Sequence, residues 1–342
     1  MDSEAFTIGI ICALPIECTA VLTILDEEYP QLPEDVYYGS RYQFGRIGVH
    51  EIVIGCLSSG KIGVVEAASI ASKMRSSFPN IRVGLMVGVG GGVPSEEHDI
   101  RLGDVVVSQP TGVYGGVVQY DAGKALADEE FERTGILCPP PDVLLDALTL
   151  IHIAQERGTL HIATHLSRFD KPLPSYCMPT EPADQLYLST HLHKGGKNCL
   201  DCGTENAVYR EERDSKLPVI HYGTIASGNL LMRDATKRDK ISQELGGVLC
   251  FEMEAAGLMN LFPCLVVRGI ADYSDSHKNK NWQRYAAATA AAFAREVIDR
   301  LAPFGVIQAR TITQAMDEMS KQLARNTDVT QQIKQNGDRK SC

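Results

Sequence analysis

No stretch of the sequence approaches the roughly 20 consecutive apolar residues that a membrane-crossing helix requires, so no membrane partner is expected. The opening Met1-Asp2-Ser3-Glu4 has no basic residue ahead of its apolar stretch, and a secretory leader is not expected either. Positive charge is scarce: 33 Lys and Arg stand against 43 Asp and Glu, a formal net charge of -10. A surface of that sign repels a phosphate backbone and removes nucleic acid from the partners, although a few local Arg and Lys side chains can still hold a small anion. No internal repeat is present, and the glycine cluster at 88–92 lacks the Gly-Lys-Ser/Thr ending of a P-loop. The ten Cys are scattered, with Cys12, Cys56, Cys250 and Cys264 inside apolar strand-like runs. That placement fits buried free thiols in a reducing cytoplasm better than a disulfide framework.

What the 342 residues do hold is an alternation of strand and helix patterns, on a chain long enough to bury a sizeable core. Residues 6–12 form a β-branched run, and Pro15 opens a helix carrying Ile16, Ala20, Val21, Ile24 and Leu25 at helical spacing. A hairpin-like pair, 41–46 and 49–57, turns around Gly48, and a helix is predicted over 64–74. Residues 82–89 are nearly continuously apolar, as in a central strand covered on both faces. Further strands are predicted at 104–108, 113–118, 219–226 and 263–270, and helices at 143–155, 233–245 and 282–301. Such alternation predicts an α/β fold with a sheet layered between helices. Two segments depart from it. Residues from about 164 to 217 are rich in Pro, His, Gly and charge without a period, and read as a surface insertion in a domain spanning 1–303. The polar tail, 304–342, spaces Ile307, Ile312, Met316, Met319, Leu323 and Val329 loosely as a helix does. It fits a helix laid on the body, a coiled-coil seam or a linker.

Four features fall at the carboxyl ends of predicted strands, where open α/β sheets place ligands. They are Glu17, the glycines 88–92, the run Phe251-Glu252-Met253-Glu254-Ala255-Ala256, and Arg268-Gly269-Ile270-Ala271-Asp272. Each alone has a plain reading: a first-turn carboxylate, a tight turn, a solvated acidic pair, a helix cap. Glu252 and Glu254, two residues apart, both point the same way if the segment is extended.

Together they carry a resemblance. The chain, over roughly 6–301, resembles the purine nucleoside phosphorylase and methylthioadenosine nucleosidase superfamily. The matching motifs come in order: Ile8 to Glu17; Val87 to Gly92 followed by Gly103-Asp104-Val105-Val106-Val107-Ser108; Glu252-Met253-Glu254-Ala255; and Arg268 to Asp272. Val117 to Asp121, Ile225 to Asn229 and Asp275 to Trp282 resemble its fungal branch, in which the domain commonly heads larger NLR-like proteins. The 342 residues contain no repeat module of such proteins, which leaves a standalone member or a domain of a larger one. The fold implied is a three-layer α/β/α sandwich around a mixed, partly barrel-like sheet.

The activity implied is cleavage of a purine N-glycosidic bond, through an oxocarbenium-like sugar and with a proton delivered to the leaving base. Asp272 matches the family's general acid beside purine N7. Glu254 matches the carboxylate on the ribose 2′- and 3′-hydroxyls, with Glu252 beside it and Met253 under the sugar. Gly90 and Gly91 belong to the glycine turn of the substrate site, and Ser227 and Leu231 fall where the family lines the base pocket. Leu231 replaces an aromatic that usually stacks on the purine, and Met232 is the neighbour able to supply some of that contact.

The nucleophile separates two reactions. Nucleosidases of this resemblance hold water on a Glu after the first strand, the place of Glu17. Phosphorylases use a Ser where this chain has Val89, which has no hydroxyl to offer an anion. Like charges about 4 Å apart cost several kcal/mol in a poorly solvated site, so Glu17 opposes phosphate. Arg268 orients either nucleophile. Hydrolysis of an adenine nucleoside or ATP-like nucleotide is therefore expected, with inosine and guanosine as further substrates, no cofactor and a homo-oligomeric assembly. A phosphorylase and a purine-sensing module without turnover are the alternatives. Arg41, Lys61, Arg101, Lys278 and Lys280 are candidates for charges at the 5′ side. His191, His193, Cys199 and Cys202 offer four zinc ligands, or two nearby thiols and solvated histidines on a loop; no metal is assigned to them at this point.

Overall fold

A computed structural model describes residues 2–31, 42–127, 131–181, 183–196, 199–318 and 321. The chain opens with β1 (Ile8–Cys12) and α1 (Pro15–Thr23), Pro15 standing in the first helical turn. Next come β2 (Glu27–Tyr29), β3 (Tyr42–Ile47) and β4 (His50–Cys56), the last two pairing antiparallel around Gly48 in the predicted hairpin. Helix α2 (Val64–Ser77) leads into β5 (Val83–Gly92), followed by β6 (Val105–Ser108), β7 (Val117–Gln119) and the short pair β8 (Gly123–Ala125) and β9 (Phe131–Arg133). Then follow α3 (Asp142–Glu156), α4 (Ile162–Leu166), β10 (Ile220–Gly223), β11 (Ile225–Ser227), and α5 (Ala235–Glu244), capped by the Asp234 carboxylate. The last elements are β12 (Cys250–Glu252), α6 (Ala255–Leu258), β13 (Leu265–Asp272), α7 (Gln283–Asp299) and α8 (Pro303–Gln308).

The main sheet runs β10-β6-β13-β5-β1-β4-β3-β2 and is mixed. Side chains alternate along it: Ile8, Ile10, Leu265 and Val267 enter a core with α1, α3 and α7, whereas Ile11, Val53, Met86 and Val266 enter a second core with α2 and α6. Helix α7 is buried almost all round because alanines let it lie close to β13 and β5. The result is the expected three layers. Among the described residues no helix is long and apolar enough to cross a membrane, and every cysteine is free.

Strand β5 outruns its neighbour. Its pairing with β1 ends at Met86 against Ile11, and on that edge β12 takes over antiparallel at Gly91 and Gly92. From β12 the sheet continues through β11 to β7. Residues 87–90 of β5 therefore face a notch between the ends of two partner strands, a switch point that leaves backbone donors without a ladder.

Three expectations need revision. Residues 113–116 are not strand, because Gly112 and Gly116 take positive φ; Tyr114 makes only an isolated bridge with Thr111, and the strand is Val117–Gln119. The strand expected at 219–226 is two, because the chain leaves β6 after Gly223 and joins β12 and β7 from Ile225. The segment 164–217 does not lie wholly on the surface: Phe169, Tyr176, Leu186, Tyr187 and Cys202 are buried. In the tail, residues 312–318 are helical; Ile312 is buried, its N–H bonds to the Ile81 carbonyl at 2.9 Å, and Met316 packs on the same core. Met319, Leu323 and Val329 lie outside the described residues, as does Arg41.

Candidate active site

The notch in β5 is filled by a side chain from α1. Glu17 reaches back so that one carboxylate oxygen accepts the N–H groups of Ala13 and Leu14, each at 2.8 Å, and the other accepts the N–H of Val89 at 2.8 Å. The Val89 N–H freed by the change of strand partner and the two N–H groups of the β1–α1 turn thus end on one carboxylate. Burial pushes the Glu17 carboxyl above its ordinary value, and Arg268 and these three N–H groups only partly offset that.

Arg268 leaves β13 opposite Gly88 and is wholly buried. Its guanidinium bonds to the Glu252 carboxylate and lies 3.6 Å from Glu254. Burial works against its charge, yet Glu252, Glu254 and Glu17 outweigh that and hold it firmly protonated. Glu252 and Glu254 converge on one guanidinium, although the segment is not extended past Glu252: β12 ends there and Glu254 stands in the turn into α6. Glu252 also accepts the N–H groups of Glu254 and Ala255, so it fixes the turn into α6. The second oxygen of Glu254 takes the Gly63 N–H at 3.2 Å. Burial raises the Glu254 carboxyl to about 7, against the pull of Arg268 and helped by its acidic neighbours. The backbone oxygen of Met253 lies near Gly63, at the start of α2.

Asp272 stands four residues further along β13, past a break in register, roughly 10–13 Å from Arg268 by strand rise. One oxygen accepts the Ser274 N–H at 2.9 Å and the other pairs with the Lys278 ammonium. Ser274 has φ of 52°, in the left-handed region, so the chain turns sharply to bring that N–H back. Gly91 faces this turn: a Cβ there would lie 2.1 Å from Ser274 Oγ and 2.7 Å from Asp272 Oδ1. At Gly88 a Cβ would sit 2.3 Å from Arg268 and 2.6 Å from Glu17. The glycine cluster is there for close approach of side chains. Gly90 lies against the Phe251 carbonyl.

Between the two ends, Ser227 is buried and its hydroxyl accepts the Ala256 N–H at 2.9 Å. Asn229 accepts the Val64 N–H and donates its own N–H to Asp121, which ties the loop after β11 to α2. Met232 is buried with Tyr120 and Phe251, whereas Leu231 is 54% exposed and is not part of that cluster. Sequence reasoning missed Gly63 and Ser274, and it placed Lys278 among the 5′ charges rather than on Asp272. The short turn Gly60-Lys61-Ile62-Gly63 before a helix was the available signal for the first.

Comparisons with known proteins agree with the fold. The phosphorylase superfamily profile matches residues 7–302, and the chain belongs to that superfamily. A nucleotide-binding leucine-rich repeat (NLR)-like protein of Hyaloscypha variabilis is 42% identical over 88% of this chain and 30% of its own length. The ATP nucleosidase Cap17 of Escherichia coli is 28% identical over 82% of this chain and 49% of its own. The chain thus spans half or less of these two relatives. The structure of 5′-methylthioadenosine/S-adenosylhomocysteine nucleosidase from Helicobacter pylori matches with a TM-score of 0.57 at 18% identity, over 87% of this chain and 100% of that one. That likeness establishes the nucleoside phosphorylase-like α/β fold.

Proposed function

We propose that the protein hydrolyses the N-glycosidic bond of a purine nucleoside or nucleotide, with water as nucleophile. The observation that carries this is the seat of Glu17. The Val89 N–H at the β5 notch and the Ala13 and Leu14 N–H groups beside it, which would otherwise be open to an anion, already end on its carboxylate. The adjacent Arg268 is claimed by Glu252 and Glu254. Three carboxylates around one guanidinium leave no positive charge for inorganic phosphate, and each adds repulsion at close range. A neutral water suits the same place, with Glu17 as its hydrogen-bond acceptor and base.

In this reading Glu254 accepts the ribose hydroxyls beside the Gly63 turn, and positive charge developing at C1′ faces the acidic cluster. Asp272 delivers the proton to the base, and base entry requires Lys278 to leave its carboxylate. Adenine substrates are favoured, since the relative named for ATP cleavage aligns across most of the chain. For a nucleotide, Lys61 is the best-placed cation. It stands two residues before Gly63, exposed and only loosely paired with Glu66 at 3.5 Å. Arg101 is instead held by Asp99 and the Glu211 carbonyl.

The test is base release from adenosine, ATP, inosine and guanosine in phosphate-free buffer. Release without phosphate is expected, and Lys61→Met should lower kcat/KM for ATP about tenfold while leaving adenosine unchanged. Release that depends on added phosphate would overturn the hydrolytic reading. No release in either buffer would favour a purine sensor.

A further inference from the structure

Away from Glu17 and Arg268, the segment between α4 and β10 gathers two thiols and an imidazole. His193 Nδ1 lies 3.1 Å from Cys202 Sγ and 3.9 Å from Cys199 Sγ, and the ligand atoms of all three fall within 4.8 Å of one another. Cys199 caps a short 3-10 turn, Leu200–Cys202, and Cys202 closes it, which brings both sulfurs close to His193 Nδ1. Zinc binds thiolate sulfur at about 2.3 Å and imidazole nitrogen at about 2.0–2.1 Å, so sulfur and nitrogen on one tetrahedral ion lie roughly 3.5 Å apart. The observed spacings bracket that value.

A second, independent feature adjoins them. His277 is 7% exposed, and neither of its ring nitrogens has a hydrogen-bond partner among the described residues. Its nearest carboxylate, Asp275, is 3.6 Å away. The ring centroid lies 5.5 Å from that of His193, and Tyr187 stacks on its face at 4.1 Å. With Nδ1 only loosely paired to Asp275, the buried Nε2 has no partner among the described residues, which is costly unless something occupies it. His191 is already engaged, its Nε2 lying 3.1 Å from the Cys202 carbonyl.

We propose that Cys199, Cys202 and His193 bind a structural zinc ion, and that His277, which lies just outside this cluster, completes the fourth position by a small movement of its ring. Two sulfurs and two imidazoles suit zinc and exclude the hard, oxygen-seeking cations. The ion joins two parts of the chain distant in sequence. One is the insertion; the other is the segment just past Asp272, to which the insertion is already bound by the His193 N–H on Ser276 Oγ at 2.9 Å. Cys199 and His277 also line the same cavity as Asp272 and Lys278. Zinc therefore braces the backbone that carries the general acid without touching substrate.

The experiment is metal analysis of the full chain purified without chelator, together with cobalt(II) substitution. One zinc per chain is expected, and the cobalt form should show thiolate-to-metal charge-transfer absorption. The Cys199→Ser/Cys202→Ser variant should lose both signals, Cys177→Ser should keep them, and His277→Gln should lose zinc to a competing chelator at least tenfold more readily. Should the double variant fail to fold, the cobalt spectrum of the wild-type chain still decides. Absence of the thiolate band, zinc retained by a folded double variant, or a Cys199–Cys202 disulfide in the freshly purified chain would overturn the proposal.

Discussion

At the scale of single residues, the site is governed by how the buried carboxylates of Glu17, Glu252 and Glu254 share the Arg268 guanidinium. Arg268 compensates Glu252 most directly, which leaves Glu254 and Glu17 only partly compensated and both raised. For Glu254 this has consequences of definite sign. Its folded value of about 7 stands above its ordinary 4.5, so between those limits the folded chain holds a proton that the unfolded chain has lost. The stabilising contribution is full below the lower limit and is lost as pH rises through the upper one. Glu254→Gln should thus be more stable than wild type at pH 8, by on the order of 2 kcal/mol, and indistinguishable near pH 4; denaturant midpoints at the two values check this. The same variant should lose base release, because an amide cannot provide two acceptors to the ribose diol. In the wild type, kcat/KM should climb as pH rises through about 7, as Glu254 ionises. A flat profile across that range would separate Glu254 from the sugar.

At the scale of elements, the site exists because β5 is longer than β1 and changes partner partway along. The notch this creates, its glycines and the turn at Ser274 form one packing unit. Gly91→Ala should push Ser274 aside and with it the N–H that holds Asp272. Base release should fall at least 100-fold with a Tm loss of only a few degrees, since misplacement by about 1 Å costs that much in rate. Equal losses in stability and activity would show that Gly91 serves the fold alone. Much of this unit was legible in the sequence. The strands announced themselves by β-branched and apolar runs; Glu17 and Glu254 follow strand ends, Glu252 and Asp272 close β12 and β13, and Arg268 alone lies within a strand. What escaped depends on contacts distant in sequence. No local pattern says that Gly63 meets Glu254, that Lys278 turns onto Asp272, or that the chain changes sheet partner at Thr224. The insertion misled for a related reason: its aromatic residues are too few and too irregularly spaced for a period, yet they bury against elements far away in the chain.

At the scale of the whole molecule, apolar surface lies beside the site. Leu230 and Leu231 are about half exposed, and Leu126 and Phe131 face the same groove as Leu230. A second copy covering that face is the homo-oligomer we propose, and it would return Leu231 to the rim of the base pocket. Light scattering should give at least a dimer, and Leu231→Asp should shift it toward monomer with weaker substrate binding. A monomeric wild type with full activity would contradict that arrangement.

The central claim is that water, not phosphate, attacks C1′. It is tested most directly by running the reaction in heavy-oxygen water with phosphate present and analysing the sugar by mass spectrometry. Hydrolysis yields free base and a sugar carrying the heavy oxygen at its anomeric hydroxyl, at a rate indifferent to phosphate. A sugar 1-phosphate without the label would mean that the carboxylate of Glu17 does not exclude phosphate, and that the reaction is phosphorolysis.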